Sequence, residues 1–270
     1  MSNSIVESQQ QEKSTKAWKA IFSGNNEFLN AKRQKHLGWP KDPRCLLCAV
    51  PFAGIGGLWF FLWRVRRNSR NEHYCNECDT FIRNNVGGAE INLSMIMVDI
   101  RDSVAITDPL SPLETHRLRS SFYNAAAEPI IETGGLLHEL TGDSVFGVYP
   151  PGFCGDKHAS KAAEAARRLL SKPALRAPDG SSIRIGIGVH TGPVYIGKAI
   201  GVQGGIQDVA LHGRDTNVVG RLSQVAGADE ALISRQTCEA AGLDLSCADV
   251  RTLELKGISE PMRALVLRRA

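Results

Sequence analysis

Residues 94–100 read Ser-Met-Ile-Met-Val-Asp-Ile, a short apolar run that closes on a carboxylate. Its length and its long aliphatic and β-branched side chains predict a buried strand, and that strand carries Asp99 at its end. Downstream, Ser111-Pro112 joins an N-cap residue to a proline at the first helical position. The helix it opens is predicted to reach about Glu132, where Gly134-Gly135 stops it. Segments 136–140 and 144–149 flank Gly142-Asp143 as a hairpin. Residues 156–170 form an Ala-rich helix, 183–189 and 194–199 two strands around His190-Thr-Gly-Pro193, and 215–225 a further helix. Late strands follow at 231–233 and 263–267. The order β-α-β-β-α-β with additions predicts an α+β fold on the ferredoxin-like plan, with helices on one face of the sheet.

Upstream of this region the texture differs. The 270 residues are 43% hydrophobic and 22% charged, which excludes a disordered, collagen-like or small disulfide-scaffold chain. Residues 1–90 hold 13 Lys/Arg against 8 Asp/Glu, and residues 91–270 hold 19 against 20. The basic excess of the +4 net charge therefore belongs to the first third, which predicts two parts with different work. Residues 1–40 divide into a polar tail, expected to be disordered over 1–15, and a candidate helix over 16–37 that Gly24-Asn25-Asn26 interrupts. No apolar leader precedes them, so a reducing cytoplasm is the expected location.

Residues 41–88 carry Cys45-Leu-Leu-Cys48 and Cys75-Asn-Glu-Cys78. Paired cysteines at C-x2-C spacing are the pattern of a structural zinc site. The 26 residues between the pairs exceed the usual ribbon gap of roughly 15–20, so reduced thiols packed as small hydrophobes, or redox-switched thiols, stay open beside it. Cys154, Cys238 and Cys247 are scattered and expected to be inert. Between the pairs lies an apolar stretch over 49–63, followed by Arg64, Arg66, Arg67 and Arg70. Fifteen residues broken by Pro51, Gly54, Gly56 and Gly57 fall short of the roughly 20 that span a bilayer. A membrane-surface contact through Trp59, Trp63 and the arginines is one reading. Burial within the protein or at a dimer contact is the favoured one, and membrane contact is not expected.

Asp99 and Asp143 both fall at strand ends, and carboxylates brought together on neighbouring central strands suit Mg2+ or Mn2+. Taken singly they also read as a capping and a turn aspartate. Asn217 and Arg221 lie one helical turn apart on one face, and Lys256 sits in Leu-Lys-Gly. Arginine and lysine hold phosphates, although an isolated surface arginine is usually only solvated.

The series M-V-D-I, then T-G-D 44 residues later, R-I-G-I-G-V-H-T-G-P-V, G-R-D-T-N-V-V-G-R-L and L-K-G-I-S-E-P resembles the class III nucleotidyl cyclase catalytic domain over about 91–268. The R-C-x-x-C…C-N-x-C…G-G-A-E pattern ahead of it looks like the Cys-rich lead-in of a bacterial subgroup. The resemblance implies conversion of a nucleoside triphosphate into a 3′,5′-cyclic nucleotide and pyrophosphate. It implies two divalent metal ions (Mn2+ or Mg2+) on Asp99, Asp143 and the carbonyl of Ile100. It further implies Asn217 at the ribose, Arg221 at the α-phosphate and Lys256 at the terminal phosphates. Metal ligands from one protomer and Asn217, Arg221 and Lys256 from the other imply a homodimer with its sites at the interface.

The two base-selecting positions depart from the adenylate cyclase pattern. Glu139 stands where lysine is usual, and Ala210 where aspartate, threonine or cysteine is usual. A carboxylate only accepts hydrogen bonds, so Glu139 disfavours adenine N1 and suits guanine, uracil or cytosine. Ala210 offers guanine O6 no donor, which points to a pyrimidine. The chain thus looks most like the stand-alone uridylate cyclases of antiphage signalling, with UTP as lead substrate, cUMP as product and a separate cyclic-nucleotide effector as partner. GTP is the alternative, then ATP or CTP. Asp102, Val104, Arg214 and Thr216 also depart from the family pattern, and His138 beside Glu139 is placed to touch the base. His190 reads as structural. The non-enzyme alternatives are a decayed cyclase fold that binds nucleotide or a partner, and a nucleic-acid reader built on the arginines; a nucleic-acid partner is not expected.

Overall fold

The computed structural model describes residues 2–40, 43–69, 72–85, 87–198, 209–246 and 248–269, with side chains from residue 10 onward. Ala199 of the predicted strand, Arg70 and Cys247 lie outside them. The chain divides into two compact units, Met1–Ile91 with Val194–His212, and Asn92–Pro193 with Gly213–Ala270.

The first unit opens with α1 (Ser2–Phe22), α2 (Glu27–Leu37), α3 (Gly54–Leu62) and α4 (Asn76–Asn84), and leads into β1 (Gly88–Ile100). The expected disordered tail is a helix instead. Glutamine, glutamate, lysine and alanine are good helix formers, and the helix is anchored by the buried Trp18, Ile21 and Phe22. The Trp18 indole donates to the Asn85 carbonyl at 3.0 Å and stacks on Phe22. The candidate helix over 16–37 is two helices, because Gly24 takes φ 85° and Asn26 caps α2 by accepting the Leu29 amide at 2.9 Å.

Within a single chain Ala49 and Val50 of the apolar stretch are buried, but most of its largest side chains are not; burial at a dimer contact, the other half of that expectation, lies outside a single chain. In α3, Gly56 and Gly57 face inward: a Cβ at Gly57 would meet the Phe52 backbone at 2.7 Å. Phe60 packs edge-on against His36 and Trp39. Ile55, Leu58, Trp59, Phe61, Leu62 and Trp63 are exposed.

In the second unit, β1 is followed by α5 (Ser103–Thr107), α6 (Pro112–Glu132), β2 (Leu136–Thr141), β3 (Ser144–Tyr149), α7 (Pro151–Cys154) and α8 (His158–Ser171). Then come β4 (Leu175–Arg176), β5 (Ser182–Ile183) and β6 (Ile185–Lys198). Beyond β6 lie β7 (Val209–His212), α9 (Arg214–Val225), β8 (Glu230–Ser234), α10 (Arg235–Ala241), β9 (Val250–Leu253) and β10 (Met262–Arg268). The sheet order is β2-β3-β1-β6-β8-β10-β9; β7 pairs with the far end of β6 within the first unit. The two strands expected around His190 are one, since His190-Thr-Gly-Pro193 stays extended.

α6 begins as predicted, with a full capping box between Ser111 and Glu114 and Pro112 in the first turn. Leu118, Phe122, Ala126 and Ile130 line one stripe of it, and with the alanine face of α8 they cover Ile96, Val98, Ile100, Ile187 and Val189. The expectation of helices on one face is corrected by the strands themselves. In β8, Ala231 and Ile233 face the α6/α8 core, whereas Leu232 joins Val218 and Leu222 of α9 on the opposite face. Alternation along a strand gives each face its own apolar set, so this sheet is covered on both. Gly188 lets α9 approach: a Cβ there would lie 2.4 Å from the Val219 carbonyl.

Candidate active site

Asp99 is the penultimate residue of β1 and sits opposite Ser144 in the antiparallel ladder with β3. The Ile100 amide donates to the Asp143 carbonyl at 3.0 Å. This register and this hydrogen bond bring Asp99, the Ile100 backbone and Asp143 to one end of two neighbouring strands, as the sequence spacing predicts. Burial raises the Asp99 carboxyl to about 6; the Arg101 guanidinium opposes that rise, and the Asp143 charge adds to it. Arg101 pairs with Asp99 and also donates to the Gln224 carbonyl at 2.9 Å. The Ser103 hydroxyl donates to Asp143. Two half-buried carboxylates and a carbonyl form a hard oxygen donor set, whose mutual repulsion a divalent cation relieves, so the residues fit Mg2+ or Mn2+.

Asp102 takes φ 56°, a left-handed conformation that accounts for glycine being usual there; aspartate tolerates it better than most residues. The turn it makes carries Ser103 back toward Asp143. Val104 is exposed.

Asn217 and Arg221 lie on α9, Asn217 exposed and Arg221 donating to Gln224 Oε1 at 2.7 Å. Lys256 is exposed in the turn after β9. Among the described residues none of the three bonds to Asp99 or Asp143. Arg214 opens α9, and the Thr216 hydroxyl donates to the Gly213 carbonyl at 2.6 Å. Glu139 is exposed on the edge strand β2, accepting the Thr141 hydroxyl at 2.6 Å. His138 lies edge-on against the Phe146 ring. Ala210 belongs to the first unit, on β7 opposite Gly197.

His190 is structural, as expected. Its ring is buried and bridges the Ser234 hydroxyl at 2.9 Å and Asp215 Oδ1 at 2.7 Å, tying the start of α9 to β6 and β8. Gly192 leaves room for this, since a Cβ there would meet Asp215 at 2.6 Å.

The sequence reading missed Arg101 and Ser103. Arg101 was legible, because residues two apart on an extended chain share a face. Ser103 was not, since only the left-handed turn at Asp102 brings it to the carboxylate.

In the first unit, Cys45, Cys48, Cys75 and Cys78 are all buried with their sulfurs within 4.8 Å of one another. Cys48 and Cys75 Sγ are 3.7 Å apart, and the Cys75 amide donates to Cys45 Sγ at 3.3 Å. A tetrahedral ion at the zinc–sulfur distance of about 2.3 Å sets sulfurs about 3.8 Å apart, so the cluster fits a tetrathiolate metal. Hydrogen bonding to Cys45, then to the other thiols, pushes the Cys78 thiol up. Against burial, hydrogen bonds from the other three hold Cys45 down.

A family model described as the adenylate and guanylate cyclase catalytic domain matches residues 89–268. The chain is 25% identical over 177 residues to "Adenylate cyclase, terminal-differentiation specific" of Dictyostelium discoideum, which covers 63% of this chain and 8% of that one. It is 24% identical over 180 residues to an adenylate cyclase of Anabaena cylindrica, covering 63% of this chain and 34% of that one. It thus spans about a third or less of these curated relatives. The guanylate cyclase domain of RhGC from Catenaria anguillulae, solved in complex with GTP, superposes with TM-score 0.57 at 22% identity, covering 67% of this chain and 99% of that one. The adenylyl cyclase CyaB from P. aeruginosa superposes with TM-score 0.55 at 22% identity, covering 66% and 94%. With the family match spanning well over half of its length, the chain belongs to the adenylate and guanylate cyclase catalytic domain family.

Proposed function

We propose that the protein is a class III nucleotidyl cyclase that converts UTP into cUMP and pyrophosphate, with cUMP as an antiphage messenger read by a separate effector. The observation that carries the cyclase reading is the meeting of Asp99, the Ile100 backbone and Asp143 at one end of β1 and β3. Those groups would hold two Mg2+ or Mn2+ ions, which supply Lewis-acid activation of the attacking hydroxyl and neutralise phosphate charge. The 3′-hydroxyl of the substrate attacks its own α-phosphorus and gives up its proton to solvent; the new P–O bond closes the cyclic ester as the bond from the α-phosphorus to the bridging oxygen breaks and pyrophosphate leaves.

Asn217 holds the ribose, Arg221 stabilises charge growing on the α-phosphate oxygens and Lys256 grips the terminal phosphates. Asn217 and Lys256 point to solvent in a single chain, and none of the three bonds to the carboxylates among the described residues. The reading therefore takes the enzyme as a homodimer in which α9 of each protomer completes the other's site.

Base choice rests on Glu139. Its carboxylate accepts from uracil N3–H, whereas adenine N1 has no proton to give. Guanine N1–H and N2–H2 would satisfy it equally, and relatives named guanylate cyclases favour GTP as the second reading; Ala210 offers guanine O6 no donor. The Cys45/Cys48/Cys75/Cys78 cluster is taken as a structural Zn2+ site that holds the first unit together.

The test is incubation of the purified chain with Mn2+ and each of the four nucleoside triphosphates, with products read by mass spectrometry. Cyclic UMP as main product supports UTP as the substrate, and cyclic GMP supports the cyclase with the other base. Cyclic AMP as sole product overturns the role of Glu139, and no cyclic product from any triphosphate overturns the enzyme.

A further inference from the structure

Helix α3 is built the wrong way round for a water-soluble surface. Its sequence, Gly-Ile-Gly-Gly-Leu-Trp-Phe-Phe-Leu, contains no polar side chain. An ordinary surface helix turns its apolar stripe to the core and its polar face to water. Here Ile55, Leu58, Trp59 and Leu62, spaced i, i+3, i+4 and i+7, form the outward stripe, with Ile55 78% and Leu62 71% exposed. Phe61 and Trp63 widen it. The inward side is made of Gly56, Gly57 and Phe60, packed on Pro51, Phe52 and Trp39. Isolated exposed hydrophobics need no explanation, but six contiguous large ones do.

The charge around the stripe points to what covers it. The chain leaves α3 through the exposed Arg64, Arg66 and Arg67. Arg67 pairs with Glu72 at 2.8 Å, while Arg64 and Arg66 make no ion pair among the described residues. Phe61, Arg64, Arg66 and Asn76 line a cavity of about 480 Å³ at this end of the helix. Arginines beside an apolar stripe complement anionic headgroups lying above an acyl layer, and tryptophan is enriched at that boundary. At 1.5 Å per residue α3 is about 13 Å long, less than half of a bilayer core of about 30 Å. No helix among the described residues is long and apolar enough to cross a membrane.

We propose that α3 and Arg64/Arg66 form a docking face for an anionic lipid surface, with the helix lying in the interface plane and the arginines on headgroup phosphates. This reverses the expectation that the stretch keeps away from membranes. The Cys45/Cys48/Cys75/Cys78 cluster lies in the same unit and frames the loop that carries α3, since Cys45 and Cys48 precede it and Cys75 pairs backbone with Arg67. A rigid base of that kind holds the apolar face outward.

The test uses the full chain and vesicles of phosphatidylcholine alone or mixed with phosphatidylglycerol, read by co-sedimentation and by the tryptophan emission maximum. The expected result is binding to the mixed vesicles only, with a blue-shifted emission and a loss of binding as salt rises. Arg64→Gln/Arg66→Gln, which leaves the apolar stripe itself unaltered, is expected to weaken binding on the order of tenfold or more. Trp59→Glu/Leu62→Glu is expected to abolish it with the circular dichroism spectrum unchanged. The proposal is overturned by no binding to the mixed vesicles, or by equal binding to both kinds. It is also overturned if the arginine variant binds as well as the parent. A fall in oligomeric state of the Trp59/Leu62 variant, with no vesicle binding by the parent, assigns the face to a second copy and likewise overturns it. Vesicle binding is read without cyclase activity, so its outcome is separate from that of the substrate assay.

Discussion

The Ile100 amide donates to the Asp143 carbonyl at 3.0 Å, and this bond closes the β1–β3 ladder one residue beyond Asp99 and Ser144. It makes the carboxylate pair a product of strand register rather than of loop flexibility. A one-residue slip would turn Asp99 to the other face of the sheet. Asp99→Asn and Asp143→Asn are therefore expected to remove cyclic nucleotide formation by at least about 100-fold while melting within a few degrees of the parent. Retained activity in either variant, measured at saturating Mn2+, contradicts the metal assignment.

In the proposed function, base preference turns on Glu139. Glu139→Lys exchanges an acceptor for a donor that adenine N1 can use. The ratio of ATP to UTP turnover is expected to rise by roughly 10- to 100-fold. An unchanged ratio, measured with the two triphosphates in competition, removes Glu139 from base selection.

Stability carries a pH signature through Glu230. Burial pushes its carboxyl up, but the two-pronged Arg251 pair at 2.8 Å, the Gly227 amide and Arg268 outweigh burial and hold it below the ordinary 4.5. A carboxyl lowered in the folded state stabilises above its unfolded value and loses that contribution as pH falls through the folded one. Glu230→Gln should cost about 1–2 kcal/mol near neutral pH, the lower part of the range for charged hydrogen bonds because Arg251 is partly exposed. The gap to the parent should close as denaturant titrations move below pH 4.5. A gap that does not narrow with acid assigns the cost to packing alone.

The cysteine cluster predicts metal content. The purified chain in reducing buffer should hold about one zinc per protomer, and Cys45→Ser/Cys75→Ser should release it. Chelation should lower the stability of the first unit, read by protease resistance of residues 43–85. Less than half an equivalent of zinc counts against the site.

Much of the second unit was legible because its local signals agree with its packing. Ser111, Pro112 and Glu114 mark the start of α6, and Gly142-Asp143 the β2–β3 turn, each through backbone chemistry that needs no tertiary partner. The sequence misled where tertiary contacts decide. His190-Thr-Gly-Pro193 looks like a break, yet it runs extended through β6 because His190 is held by Ser234 and Asp215. Residues 1–15 look like a polar tail, yet α1 is anchored by Trp18 stacking on Phe22 and bonding to Asn85. The stretch over 49–63 is buried at Ala49 and Val50 as expected, while in α3 Gly56 and Gly57 turn the small side inward and leave the large side chains exposed in a single chain. In the site, Asp99 and Asp143 were readable from spacing and Arg101 from alternation. Ser103 depended on the backbone reversal at Asp102.

The most direct test of a cyclase site shared between two protomers is a doubly tagged heterodimer of Asp99→Asn with Arg221→Ala, purified through both tags. Each parent homodimer should be inactive, because every site lacks one group. The heterodimer concentrates both defects in one site and leaves the other whole, so it should form cyclic nucleotide at about half the rate of the unaltered dimer. A heterodimer as inactive as its parents would contradict the account, since the carboxylates and Arg221 would then have to serve the same chain.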